Sequence, residues 1–403
     1  MPDRAPDPRP IAYLVPEFPQ QTHAFFWREI AAIEDAGAQV ALFSTRRPPL
    51  DACPHPFRDE ARARTQYLFP PRPGPAAALA LRPVALARAT AYVAGLRQTP
   101  ARGRARLVAL IPSAADLAQA CRAVNARHLH VHSCADAAHL AVLAHRLGGP
   151  GYSLTLHGDL DVYGTDHAAK MGAARFVSTV TGALAAQVAG VAPGVPNPVI
   201  WMGVDTDRFR PRAGSPPDRP FTVVTVARLA QVKGHRFLLR ALARLRAEGR
   251  ALSCVIAGDG PDRDAILAEI AALSLGDCTR LTGAVAEDGV RDLLHGADAL
   301  ALTSIGQGEA APVAVMEAMA CGLPVVASVI GGTPDMIRDG HDGLLVPQQD
   351  VEAIAGALRG LMDDPARRAA IGRAARARAV EAFDHHANAL KLLHQIDAVS
   401  GAD

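Results

Sequence analysis

The apolar positions of this chain fall in short unbroken runs, each followed by a longer segment in which they recur every three or four places. Runs at Ile11–Val15, Val40–Phe43, His128–Val131, Tyr152–Leu156 and Phe176–Val180 read as strands. The pattern restarts with Phe221–Val226, Ser253–Ala257, Thr279–Thr282, Ala299–Leu302, Pro324–Ala327 and Leu344–Val346. Helical spacing marks 22–35, 76–96, 104–123, 135–147 and 181–189, then 235–248, 262–273, 289–295, 312–321, 351–362 and a tail over 365–396. Strand and helix alternating at these lengths indicate parallel sheets covered on both faces. Residues 46–75, rich in Pro and Arg, read as irregular connection.

A chain of 403 residues is long for one core, and the segment 211–220 carries four prolines that suit a boundary. The expected organisation is a first domain over 1–210, a linker over 211–220, a second domain over 221–384, and a terminal helix and tail over 385–403. The expected fold class is α/β, two doubly wound Rossmann-like domains with a cleft between them. Ligands in such sheets bind at the carboxyl ends of the strands.

Composition narrows the partners. The chain is 49% apolar and only 4% aromatic, and its 42 basic residues include three lysines, Lys170, Lys233 and Lys391. The net charge of +2 hides an asymmetry: residues 1–200 hold 20 basic and 14 acidic groups, residues 201–403 hold 22 and 26. From Arg62 to Arg106 there are nine arginines and no acid. Two readings stand, a first domain facing an anionic membrane or a lipid-linked pyrophosphate, and ordinary solvated helix faces. Nucleic acid is disfavoured, because no aromatic platform interleaves with the arginines. The six cysteines contain no C-x-x-C pair, which fits free thiols in a reducing cytoplasm. The N-terminus lacks the apolar core of a signal peptide, and the apolar tract 76–96 is interrupted by Arg82 and Arg88. A cytoplasmic chain is expected, with the inner face of a membrane as a peripheral location.

Two segments carry candidate chemistry. In Val226-Ala-Arg228-Leu-Ala-Gln-Val-Lys233-Gly234-His235 a strand ends and a helix begins, leaving two cations on the connecting loop. A guanidinium fork and a point-charge ammonium suit a pyrophosphate. Taken alone, a solvated basic loop accounts for them slightly better. The second segment, Glu309-Ala-Ala-Pro-Val-Ala-Val-Met-Glu317, changes that balance. Its carboxylates are eight positions apart, an interval that does not place two side chains on one helical face. They read as two separate grips near a helix N-terminus, where free N–H groups and the dipole favour phosphate or polarised hydroxyls.

These motifs resemble those of the retaining glycosyltransferases of family 4, which have the two-domain GT-B architecture, and in particular the bacterial branch that builds exopolysaccharides and colanic-acid-like polymers. The R-x4-K-G and E-x7-E elements carry the resemblance. Met202-Gly203-Val204-Asp205 with Phe209 resembles the family's turn near its hinge, and Gly258-Asp-Gly-Pro261 its turn after the donor domain's second strand. His157-Gly158-Asp159 resembles its H-G element and closes a strand. The resemblance implies that Arg228 and Lys233 hold the pyrophosphate of a nucleoside-diphosphate sugar without a metal. It also implies that Glu309, with Ala310 and Ala311 beside it, meets the donor sugar, that Glu317 meets the ribose, and that His157 serves catalysis from the first domain. The implied acceptor is a glycan or lipid-linked oligosaccharide. His130 and His132 match a looser H-x-H and read as structural.

Two departures from the family pattern stand out. Pro16-Glu-Phe-Pro19-Gln-Gln-Thr22 replaces a Gly-rich loop, which leaves Gln21, Thr22 or helix N-terminal amides as the substitute phosphate contacts. Ala310 replaces a usual Gly, which would strain the chain if that position needed positive φ. A nucleoside-diphosphate-sugar 2-epimerase and a non-catalytic sugar-nucleotide-binding protein remain as alternatives. A dinucleotide oxidoreductase is excluded, since no G-x-G-x-x-G follows Ile11–Val15 or Phe221–Val226.

Overall fold

The structure is a computed structural model and describes residues 7–214, 219–306 and 309–400. It divides into two compact units, Met1–Met202 with His385–Asp403, and Gly203–Asp384. Of the segment 211–220, suggested above as the linker, residues 215–218 lie outside the described ones. The division instead falls at Gly203, inside the Met202–Asp205 turn, where φ is +76°. Phe209 is fully buried, and Val204 donates to the Phe383 carbonyl at 2.7 Å, so 203–210 belong with the second unit.

The first unit is built on six parallel strands: β1 Ile11–Val15, β2 Val40–Arg46, β3 Gln66–Phe69, β4 His128–His132, β5 Tyr152–Leu156 and β6 Val177–Thr179. Their order is β3-β2-β1-β4-β5-β6. The expected irregular stretch 46–75 in fact contains the helix Arg58–Arg64 and the edge strand β3. With only four residues, β3 gives a weak alternation signal. The central strands are buried on both faces; β1 accordingly is a continuous apolar run, while β4 and β5 interleave buried His, Ser and Thr. The helix His385–Ser400 closes this unit: Leu392, Leu393 and Ile396 share one core with Ile30 and Ile33 of the helix Ala24–Asp35. What reads in sequence as one long terminal helix is two, Pro365–Ala382 and His385–Ser400, and they belong to different units.

The second unit repeats the plan with β7 Phe221–Val226, β8 Leu252–Ala257, β9 Thr279–Gly283, β10 Ala299–Leu302, β11 Val325–Ser328 and β12 Leu344–Val346. The order is β12-β11-β10-β7-β8-β9, all pairs parallel. In each sheet the strand order reverses between the first strand and the fourth. That reversal opens a crevice at the carboxyl ends, where doubly wound folds hold ligands.

Candidate functional site

In the second unit four loops crowd the carboxyl edge of β7, β8, β10 and β11. Leu229, fully buried, anchors the loop after β7, and its N–H donates to the Asp259 carbonyl of the Gly258–Pro261 turn at 3.0 Å. A single 3-10 turn, Gln231–Lys233, then ends at Gly234, whose φ is +63°. A Cβ there would overlap the Thr303 carbonyl oxygen on the loop after β10. Val232 and Ile305 seal the approach, the Ile305 N–H donating to the Val232 carbonyl at 2.7 Å. The glycine after Lys233 is therefore required by two backbones in contact as well as by the turn.

The same packing fixes Glu309. Its carbonyl accepts from the Gly332 N–H at 3.0 Å, and Gly331, with φ +53°, lies so close that a Cβ would overlap that carbonyl. The Glu309 carboxylate is buried, and its Oε1 accepts from the Ser304 hydroxyl at 2.7 Å and from the Lys233 ammonium. Its Oε2 accepts nothing among the described residues. A buried carboxylate with one oxygen saturated and one vacant is shaped to receive a hydroxyl donor. Lys233 keeps a side-chain exposure of 23%, and Glu309 is its one partner among the described residues, so two of its three donors remain. Arg228, on the same loop, is exposed, and its guanidinium has no hydrogen bond or ion pair among the described residues. The trio carries a net positive charge with free donors, as a diphosphate requires.

Glu317 is buried in the helix Val313–Ala320, and Pro312 stands just before that helix rather than in its first turn. Ala310 and Ala311 are buried beside Glu309, and Ala310 is not among the residues of positive φ. The strain that an alanine there would have carried is absent.

The first unit brings together a second group. His157 Nε2 lies 2.9 Å from His132 Nδ1, and its ring packs against Phe25 and Phe26. Glu29 Oε1 accepts from the Tyr13 hydroxyl and stands 3.1 Å from His132 Nε2, out of line with the ring N–H direction. Burial pushes the His157 imidazole down to about 3, and neighbouring His132 pushes the same way. His157 is thus neutral near pH 7 and acts as a neutral hydrogen-bonding ring, not as a cation. Its Nδ1 is buried and has no partner among the described residues. His130 is a satisfied core histidine, held by Ser153 at 2.7 Å and Thr155 at 2.9 Å. The structural reading of the H-x-H pair holds for His130, but His132 is coupled to His157. Glu29 lies on the helix Ala24–Asp35, and sequence spacing gives no reason to connect it to His132.

A cavity of about 750 Å³ opens at the carboxyl edge of the first sheet, lined by Glu17, Gln20, His23, Arg46, Ser133 and Tyr163 among others. Gln21 and Thr22 are exposed on the short turn before the helix Ala24–Asp35, and it is their neighbours Gln20 and His23 that line this space.

Residues 206–378 match the family model described as Glycosyl transferases group 1. This stretch contains Arg228, Lys233, Glu309 and Glu317. Over this stretch the second unit is similar to that family. Relatives of the chain include WcaL of Salmonella typhimurium, a provisionally named colanic acid biosynthesis glycosyltransferase, 38% identical over 39% of this chain and 40% of the relative. Another is the amylovoran biosynthesis glycosyltransferase AmsK of Erwinia amylovora, 33% identical over 47% of each. The matched segments thus span less than half the length of these relatives. The group 1 glycosyltransferase resemblance and its exopolysaccharide branch fit both. In fold, the chain is similar to Anabaena HepE in complex with UDP, with a TM-score of 0.74 at 18% identity over 97% of this chain and 100% of that one. Sucrose-phosphate synthase from Thermosynechococcus elongatus gives 0.73 at 19% identity over 98% and 100%. The architecture is GT-B, as expected.

Proposed function

We propose that the protein is a retaining, metal-independent glycosyltransferase that moves a hexosyl unit from a nucleoside-diphosphate sugar to a glycan hydroxyl in cell-surface polysaccharide biosynthesis. The observation that carries this reading is a Glu309 Oε2 that accepts nothing among the described residues, beside a Lys233 ammonium whose one partner among them is Glu309. In the reaction the bond from the anomeric carbon to the diphosphate oxygen breaks and a bond to the acceptor oxygen forms. The acceptor proton leaves with the diphosphate. Lys233 and Arg228 stabilise the charge that grows on that leaving group, the kind of electrostatic term that dominates many active sites. Glu309 holds and orients a sugar hydroxyl, Glu317 serves the ribose, and Ala310 and Ala311 offer backbone at the sugar.

His157, neutral, accepts or donates one hydrogen bond to a sugar hydroxyl through its unpartnered Nδ1. The cavity of the first unit is the place of the acceptor, with Gln21 and Thr22 at its approach. The relatives' names and the UDP complex of a protein of like fold support the substrate class. A lipid-linked acceptor met at the inner face of a membrane belongs to the same reading, and the arginine-rich stretch 62–106 supports it. The test is a thermal-shift panel of nucleoside diphosphates and their sugars, followed by transfer assays with the donor that stabilises the protein. A donor-selective rise that disappears in Lys233→Ala is expected. Equal response to every nucleotide, or a C2 epimer formed from donor alone, would overturn the proposal.

A further inference from the structure

The helix Pro83–Ala94 turns an unusual face to solvent. Its inward side is conventional: Ala89, Tyr92 and Val93 are buried, and the Tyr92 hydroxyl is 2.7 Å from His139 Nδ1. A surface helix in water carries polar residues outward. Here the exposed positions include Val84, Ala87, Arg88, Thr90, Ala91 and Ala94, and the Thr90 hydroxyl donates back to the Leu86 and Ala87 carbonyls, so the outer face is largely apolar with Arg88 its one charge. Just before it, at the break from the preceding helical segment, Leu81 is 86% exposed and Val84 65%. The two segments, Pro73–Leu81 and Pro83–Ala94, are together apolar but bent by 103°, and among the described residues no single helix is long and apolar enough to cross a membrane.

The charges around this elbow are equally one-sided. Arg72 and Arg106 are engaged by Asp116 and Asp136. Arg82, Arg88, Arg97 and Arg102 are exposed and their guanidinium groups meet no carboxylate among the described residues, although the Arg97 backbone N–H donates to Asp166 Oδ1 at 3.0 Å. Exposed aliphatic side chains on a stretch that also carries exposed arginines, Arg82 between them and Arg88 one turn on, match a phospholipid surface in both of its parts: acyl chains for Leu81 and Val84, phosphates for the guanidinium groups. Pairing with a second copy through the same patch would set like charges against each other. Nucleic acid would find no aromatic side chain on the elbow for stacking.

We propose that this elbow docks the protein on an anionic bilayer. Leu81 and Val84 enter among the headgroups, and Arg82, Arg88, Arg97 and Arg102 lie among the phosphates. The docking rests on the proposed function only for its purpose, bringing the protein to a lipid-linked acceptor; the contact itself depends on the elbow alone.

Flotation of the full chain with phosphatidylcholine vesicles, with and without phosphatidylglycerol, tests it. Binding only to the anionic vesicles is expected, weakening as salt rises. Each of the four arginines replaced by Gln lowers partitioning by roughly fivefold. Leu81→Ser with Val84→Ser also weakens it. Equal partitioning to both vesicles, or none to the anionic ones at low salt, overturns the proposal without any variant. Serine variants that bind like the unmodified chain, or soluble RNA bound as tightly as vesicles, reduce the patch to a polyanion surface and overturn the lipid assignment. So does a wild-type dimer that dissociates in the same variants. Nucleoside-diphosphate thermal shifts on the same variants stay unchanged, so failed flotation with intact donor response sinks the docking alone, and the converse sinks the proposed function alone.

Discussion

Lys233 and Glu309, 76 positions apart, meet as an ion pair on two loops whose backbones touch. The contact sets both groups before any ligand arrives. The ammonium holds the carboxylate oriented, and the carboxylate keeps the ammonium at the edge of the sheet. Lys233→Arg is not conservative at this spot, since a planar fork cannot replace a compact ammonium in a close contact. We expect Lys233→Arg to lower donor affinity at least tenfold, read by titration with the donor. Wild-type affinity would remove the geometric role given to the pair.

Gly234 gives a structural prediction. Because a Cβ there overlaps the Thr303 carbonyl and φ is positive, Gly234→Ala should cost about 2 kcal/mol or more and pull the Lys233 loop away. A urea unfolding series on this variant measures the loss, and a change below ~0.5 kcal/mol would show that the loops part without strain.

Acid should weaken the first unit before the second. Burial holds His128, His132 and His157 down to about 3, His23 and His139 to about 4, and His130 well below its ordinary value. Above the unfolded value near 6.5 both states are neutral and nothing is lost. As pH falls below it, the unfolded chain takes protons that the folded one refuses, at up to about 1.4 kcal/mol per pH unit for each histidine. Glu29, raised by burial, works in the opposite direction, but it is one group against six. In the second unit burial lowers His235. Hydrogen exchange followed from neutral pH downward should show the first unit opening first; equal loss of protection in both units contradicts this.

Lys170 shows where an arginine-rich chain could not substitute. It is fully buried and donates to the carbonyls of Cys134 at 2.6 Å and Tyr163 at 2.9 Å, joining two loops that line the cavity of the first unit. Lys170→Met strands two carbonyls, and a loss of about 2 kcal/mol or more is expected, with a raised KM for acceptor and an unchanged KM for donor. Arginine at 170 should fare no better, because a planar guanidinium fork does not reproduce a compact ammonium fully buried between two carbonyls.

Much of this was legible from the chain itself. β1, β10 and β12 coincide with unbroken apolar runs, as buried parallel strands favour, and β5 and β7 with runs interrupted only by buried Ser and Thr. The loops bearing Arg228, Lys233 and Glu309 followed from the motifs alone. β3 was hidden because an edge strand of four residues lies among prolines and arginines. The return of the helix His385–Ser400 to the first unit was hidden because a periodic apolar face says that it packs, not against what. Glu29 and His132 were hidden because their contact joins a helix to a strand about a hundred residues later, and neither shows a spacing that names the other. The scarcity of lysine drew attention to Lys233 and applied equally to Lys170.

The central claim is that Lys233 anchors the diphosphate while the free oxygen of Glu309 reads the sugar. Isothermal titration of the unmodified chain, Lys233→Ala and Glu309→Gln with a nucleoside diphosphate and with its sugar conjugate tests it most directly. Lys233→Ala should lose at least tenfold for both ligands, about 1.4 kcal/mol. Glu309→Gln should keep the diphosphate affinity, lose the increment contributed by the sugar, and show no transfer. Undiminished diphosphate binding by Lys233→Ala, or undiminished transfer by Glu309→Gln, would contradict the account.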